Sequence, residues 1–222
     1  FGCWTSVSRK SALPVLEELN GLLFYPVQYE GEESSKNVFY TGASPNQQAI
    51  PATDYYLEEL DVKKFALLGT DYVYPRTTNK ILKQYLIDKG IPESDIFVNY
   101  TPFGHSDWSK IVSDVVSLGA DGKKVGVIST INGDANIGFY KELAAAGVKA
   151  DDIPVVAFSV GEEELSGLDT TNLVGHLAAW NYFQSAESDL NSSFIKDWKA
   201  TMGNKRVTND PMEAHVIGFN MY

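Results

Sequence analysis

Hydroxyls, amides, carboxylates and rings gather at one recurring position in this sequence, just beyond the end of a short apolar run. Tyr72 and Tyr74 follow Phe65–Leu68, and Trp4 and Ser6 stand where the opening residues give out. Tyr25 closes the run from Leu22, Asn132 and Asp134 follow residues 124–130, and Ser159 follows 154–158. Hydroxyls and amides donate and accept hydrogen bonds, a carboxylate accepts from N–H, and flat rings exclude water. Together these groups suit the binding of a small, neutral, polar molecule. Singly, Ser6, Asn132 and Asp134 are as well explained as helix caps; the coincidence of five or six such loops is what points to a pocket.

Reactive chemistry has less support. No Gly-x-Ser-x-Gly nucleophile frame occurs. His105, His176 and His215 lie far apart, without His-x-x-x-His or Cys-x-x-Cys spacing, so no metal and no cofactor is expected. Cys3 is the only cysteine and cannot form an internal disulfide. An amidohydrolase built on Cys3 is the enzymatic rival, but a lone cysteine is more often a small hydrophobe in a core.

The elements that must position these loops are legible in order. Ser6 or Ser8 is expected to cap a helix running to about Asn20, kinked at Pro14. Residues 1–4 read as the end of a strand, and Leu22–Tyr25 and Val38–Tyr40 as two more. A helix is expected from about Gln47 to Glu59. Strands at 64–68, 96–100, 124–130 and 154–158 then alternate with helices at about 76–89, 109–118 and 135–146. Pro75 falls in the first turn of one of these helices, where its missing N–H costs nothing. Alternation of buried strands and helices predicts an α/β fold with a largely parallel sheet. Further on, the pattern predicts a short helix opened by Glu162–Glu164, a strand at Leu173–Leu177, a helix at about 192–201 and a last helix from Asp210.

The 222 residues suffice for one large or two small domains. A net charge of −11 argues against nucleic acid and anionic membrane surfaces as partners. No run of about 18 apolar residues is present to span a bilayer. Both ends read as cuts, so the expectation is an internal piece of a longer protein, with any targeting segment upstream.

Several motifs, in one order, carry a resemblance: Phe-Gly-Cys-Trp-Thr-Ser, Leu-Leu-Phe-Tyr-Pro-Val-Gln-Tyr-Glu-Gly, Pro-Asn-Gln-Gln, Gly-Thr-Asp-Tyr-Val-Tyr-Pro-Arg, Ser-Thr-Ile-Asn-Gly-Asp and Asn-Asp-Pro-Met-Glu-Ala. Across its whole length the chain resembles the urea-binding proteins of ABC importers, within the wider group of short-chain amide and branched-chain amino acid receptors. The resemblance implies a type I periplasmic-binding fold of two doubly wound parallel-sheet lobes joined by a hinge, with the ligand held between them. It divides the chain into residues 1–42 and 181–222 for the first lobe and 43–180 for the second. It implies that Ser6 and Tyr25 serve the ligand from the first lobe, with Trp4 as wall. From the second lobe, Tyr74 would stack on the ligand beside Tyr72, with Asn132, Asp134 and Ser159 in contacting loops. Val27 takes a place where related amide receptors carry a threonine, which leaves only a backbone contact there. Asp134 or Glu162 is the expected acceptor for ligand N–H. The implied role is a non-enzymatic receptor, periplasmic or extracellular, delivering urea or a short-chain amide to a membrane permease. The alternative is an intracellular amide sensor acting on a protein partner.

Overall fold

The computed structural model describes residues 1–166 and 168–222. The first helix, α1 (Ser6–Glu18), is capped by Thr5, not by Ser6 or Ser8 as expected. Thr5 Oγ1 accepts the Ser8 N–H at 3.2 Å, and Ser8 Oγ accepts the Thr5 N–H at 3.1 Å, a reciprocal box. Ser6 is therefore released to face inward. The helix assignment runs through Pro14 without a break. Next come β1 (Leu23–Tyr25) and β2 (Val38–Tyr40), which pair in parallel. Residues 1–4, expected to end a strand, are irregular because Gly2 (φ 137°) and Cys3 (φ 63°) leave the extended region. The Gly2 N–H donates to the Phe24 carbonyl at 3.1 Å and ties this segment to β1.

The larger unit is assembled from α2 (Ala49–Glu58), β3 (Lys64–Thr70), α3 (Val73–Asp88), β4 (Ile96–Thr101), α4 (Ser109–Leu118), β5 (Val125–Thr130), α5 (Ala135–Ala145), β6 (Val155–Ala157), α6 (Glu162–Leu165) and β7 (Leu177–Ala178). Its five strands are parallel in the order β4-β3-β5-β6-β7. Side chains alternate across β3. Ala66 and Leu68 pack with Val112 and Val115 of α4 and Phe139 and Leu143 of α5. Phe65 and Leu67 turn the other way, onto Tyr56 of α2 and Leu82 and Leu86 of α3. Helices thus cover both faces, as a buried parallel sheet requires. Each large side chain so buried contributes about 1.5–3 kcal/mol.

The expected strand at Leu173–Leu177 is displaced to β7. Residues Thr170–Asn172 coil into a 3-10 turn held by the Asp169 carboxylate, which accepts the Thr171 N–H at 3.0 Å. Ahead of β7, the imidazole Nδ1 of His176 accepts the Val155 N–H at 3.1 Å, where a backbone carbonyl would otherwise pair. The last two helices are α7 (Asp189–Met202) and α8 (Asp210–Met221). Ala214 is buried, and Gly218 lets α8 approach Phe24 of β1.

Gly69 has a positional role near the end of β3. A Cβ there would lie 2.5 Å from Thr130 Oγ1 and 2.7 Å from Pro75 Cβ. Only a bare backbone lets the first turn of α3 sit so close to the strand end and deliver Tyr72 and Tyr74 above it. β3 lies between β4 and β5, so the connections leaving β3 and β5 diverge to opposite faces. That divergence marks the crevice where open parallel sheets hold ligands.

The small sheet is fastened to α1 by a buried ion cluster. Arg9, 0% exposed, donates from Nη2 to Glu30 Oε1 at 2.8 Å and from Nε to Glu33 Oε1 at 2.7 Å. Its guanidinium lies 4.6 Å from the Tyr25 ring centroid and 5.1 Å from that of Tyr29. Glu33 also accepts from Lys10 Nζ and Tyr40 Oη, each at 2.7 Å. Burial opposes the Glu33 charge, but the hydrogen bonds from Arg9, Lys10 and Tyr40 win and pull its pKa down to about 2.

Two outcomes are expected. Gly69→Ala should lower the free energy of unfolding in guanidinium by about 1–3 kcal/mol, the usual cost of overpacking, and an unchanged midpoint would refute the close-approach argument. Glu33 is depressed from 4.5 to about 2 in the folded state, so its contribution is complete above the unfolded value and lost as pH falls through the folded one. The stability difference between wild type and Glu33→Gln, about 1–2 kcal/mol at neutral pH once solvent screening is allowed for, should shrink between pH 4.5 and about 2. Denaturant melts across that range read the slope; a difference independent of pH would refute it.

Candidate ligand-binding site

Where the carboxyl ends of the two sheets face each other, a cavity of about 100 Å³ opens between their loops. One wall is Trp4, Ser6, Tyr25, Val27 and Gln28; the other is Tyr72, Tyr74, Asn132, Ser159, Glu164 and Trp180. Seven of the eight residues singled out in the sequence thus surround one space: Trp4, Ser6, Tyr25, Tyr72, Tyr74, Asn132 and Ser159. Trp4 stands at the rim, 62% exposed, while Ser6, Tyr25 and Tyr74 are buried. Asp134 is not among the walls. It sits exposed at the start of α5 without a side-chain capping bond.

Each side chain is held so as to leave a particular capacity free. The Ser6 hydroxyl donates to Glu30 Oε2 at 2.5 Å and accepts a long bond from Arg9 Nη1 at 3.5 Å, so one lone pair remains to accept. Ser159 Oγ accepts from Gln28 Nε2 at 2.9 Å, which leaves its own hydrogen to donate. Tyr72 Oη accepts from Asn132 Nδ2, and the Asn132 N–H donates to Thr70 Oγ1 at 2.9 Å, so the loops after β3 and β5 lock together across the crevice. The Tyr74 hydroxyl lies beside Gln28 but has no partner of regular geometry among the described residues. The same holds for Trp180 Nε1 and Gln28 Oε1. Burial raises the pKa of Tyr72 and Tyr74, and burial opposed by the Arg9 charge pushes Tyr25 up to about 12. All three phenols are therefore neutral at physiological pH and able to donate.

Charge in the walls is one-sided. Among the described residues lining the cavity there is a carboxylate, Glu164, and no Lys, Arg or His. Glu164 Oε2 accepts the Gly161 N–H at 2.8 Å, and burial raises its pKa against that bond. Glu162, an acceptor expected from the sequence, faces elsewhere: its Oε1 accepts from the Ser185 N–H and hydroxyl at 3.1 and 3.2 Å. The nearest guanidinium, Arg9, is committed to Glu30 and Glu33 behind Tyr25. Cys3 packs with Leu13 and Leu16 against the small core and lies outside the cavity walls. A larger hollow of about 360 Å³ lies behind α6 and β7, with Leu165, Leu173 and Leu177 in its walls. Its surface is mainly apolar, with Tyr140, Glu162, Thr170, His176 and Ser185 as the polar members of its lining.

Sequence reasoning missed Gln28 and Glu164. Gln28 sits inside a motif that was noticed, but nothing in its local pattern distinguishes it from a loop residue. Glu164 is one of three consecutive glutamates, and only the phase of α6 decides which of them turns to the cavity.

The chain matches the model of the family described as "Periplasmic binding protein domain" over residues 1–222. Solved structures of similar fold include an amino acid ABC transporter substrate-binding protein from Pseudomonas fluorescens Pf-5, 17% identical with a TM-score of 0.77, aligned over 98% of this chain and 57% of that one. A solute-binding protein from R. palustris in complex with 4-hydroxybenzoate is 19% identical with a TM-score of 0.80, over 99% and 60%. A leucine-, isoleucine-, valine-, threonine- and alanine-binding protein from Brucella ovis is 11% identical with a TM-score of 0.74, over 96% and 54%. The chain thus spans somewhat more than half the length of these proteins. With strands in parallel, helices on both faces and a whole-length family match, the chain belongs to the periplasmic binding protein domain family.

Proposed function

We propose that this chain is part of an extracytoplasmic receptor that closes around urea or a short-chain amide and delivers it to an ABC importer in the membrane. Residues 1–42 and 181–222 would move as one lobe against 43–180, with the guest between them. The observation that carries this reading is the cavity itself, about 100 Å³ with donors and acceptors in its walls and no cation among the described ones.

Size selects a guest of a few heavy atoms. A cavity of about 150 Å³ takes up benzene, and drug-sized ligands need about 300 Å³ or more. 4-Hydroxybenzoate, bound by the R. palustris protein, is larger than benzene and carries a carboxylate. A free carboxylate here would meet Glu164 with no countercharge in the described walls. A primary amide has no such problem. Its carbonyl can accept from Ser159, Tyr74 or Trp180 Nε1, and its N–H groups can reach Ser6 Oγ and Glu164. Urea doubles the N–H count at the same size. With four heavy atoms at a ceiling of about 1.5 kcal/mol each, affinity is bounded near 6 kcal/mol, a dissociation constant of tens of micromolar.

Calorimetric titration of the full-length protein with urea, acetamide, formamide, leucine and 4-hydroxybenzoate tests the reading. Urea or a short amide should bind and the two carboxylates should not; binding of either carboxylate with no amide response would sink it. Tyr74→Phe, which removes one buried donor and keeps the ring, should weaken urea about tenfold. Undiminished affinity would take the Tyr74 hydroxyl out of the site.

A further inference from the structure

Gln28 is 5% exposed, belongs to the loop that follows β1 and lines the cavity. Its Nε2 crosses to the larger unit and donates to the Phe158 carbonyl at 2.8 Å and to Ser159 Oγ at 2.9 Å. A carbonyl can only accept, so the nitrogen must be the end facing Phe158. That fixes the other end. Oε1 is buried and has no hydrogen-bond partner among the described residues, although it is a strong acceptor.

We infer that Gln28 reads the guest and holds the cleft shut with the same side chain: Oε1 accepts an N–H of the bound urea or amide while Nε2 bonds the opposite wall. The inference rests on the amide-receptor reading and adds to it the residue that couples recognition to closure. In an amide the carbonyl and the N–H groups lie on adjacent atoms. One guest can therefore accept from Tyr74 Oη and donate to Gln28 Oε1 at once, satisfying two groups that otherwise stay unpaired. A guest without N–H leaves Oε1 buried and unbonded, so the site rejects it by an unmet acceptor and not by size. Ser159 joins the same circuit, because the bond from Nε2 occupies a lone pair and leaves its hydrogen for the guest carbonyl.

Gln48 supplies the control. It also donates from Nε2 to Phe158 O, at 3.3 Å, and to Ala179 O at 2.6 Å, but it is not among the cavity walls. Urea affinity of the full-length wild type, Gln28→Leu and Gln48→Leu is measured by calorimetry, with melts of the unliganded variants to verify folding. Gln28→Leu should weaken urea about 10- to 100-fold, and Gln48→Leu by no more than about threefold. Equal losses in both variants would reduce Gln28 to a bond that merely secures the chain at Phe158, and undiminished binding in Gln28→Leu would dismiss it; either result overturns the inference while leaving the receptor reading intact. A wild type that binds no urea and no amide removes that reading and this one together. Should Gln28→Leu fail to fold, Gln28→Met, unbranched and of similar length, takes its place with the same expectation.

Discussion

A guanidinium with no access to water must be met by acceptors, and Arg9 imposes that demand on everything around it. Glu30 and Glu33 answer it, while the rings of Tyr25 and Tyr29 stack against the cation. Ser6 precedes Arg9 by three residues and shares its helix face. It bonds the second oxygen of the same Glu30 that Arg9 holds by the first. One carboxylate therefore fixes the rotamers of both side chains. The places of Ser6 and Tyr25 at the cavity follow from how a buried charge is neutralised one layer behind them.

Hydrogen-bonding capacity is divided unequally between the two sides of the cleft. The side built on β1 and α1 offers the acceptors Ser6 Oγ and Gln28 Oε1, whose own hydrogens are spent on Glu30, Phe158 and Ser159, beside the Tyr25 hydroxyl. The five-stranded side offers the hydroxyls of Ser159 and Tyr74 and the indole of Trp180, with Glu164 as its acceptor. A group with only donors or only acceptors would find half of this arrangement useless. An amide presents both within a few ångströms, and it presents them without the charge that these walls are poorly equipped to receive.

Most of the larger unit could be read from the sequence because its strands are buried on both faces. Phe65–Leu68 is an unbroken apolar run, Val125–Ile128 is interrupted only by Gly126, and helical periodicity fills the gaps between the strands. Legibility failed where a few local bonds decide. β7 is two residues long and starts late because the His176 imidazole and an Asp169-capped turn occupy the chain just before it. The cap of α1 moved to Thr5 once Ser6 was taken by Glu30, a partner 24 residues away that no local pattern announces. At the cavity, ring and hydroxyl residues beyond strand ends were conspicuous, and seven of them do share one space. Gln28 was not conspicuous, since a neutral amide in a loop carries neither periodicity nor charge. Asp134 was conspicuous but turns outward, since one residue of phase at the start of α5 separates the buried Ala135 from the exposed position before it.

Among the described residues, the two sides of the cleft do not share an apolar core cluster. The cluster beneath β1 and β2 is drawn from residues 3–40, whereas those on the faces of the larger sheet begin at Ala49. The side-chain hydrogen bonds between them among the described residues include Gln28 to Phe158 and Ser159, Asn209 Nδ2 to Glu163 at 2.8 Å, and the N–H and hydroxyl of Ser185 to Glu162 at 3.1 and 3.2 Å. Such bonds contribute a net 0.5–1.5 kcal/mol or so each, because water replaces them when they open. Separation would therefore cost only a few kcal/mol, which is the scale that a guest of four heavy atoms can supply. A ligand shifts an equilibrium only by its difference in affinity between the two states. On the proposed reading that difference is large, because Ser6 and Gln28 on one wall and Ser159, Tyr74 and Glu164 on the other would meet the guest together only when the cleft is shut.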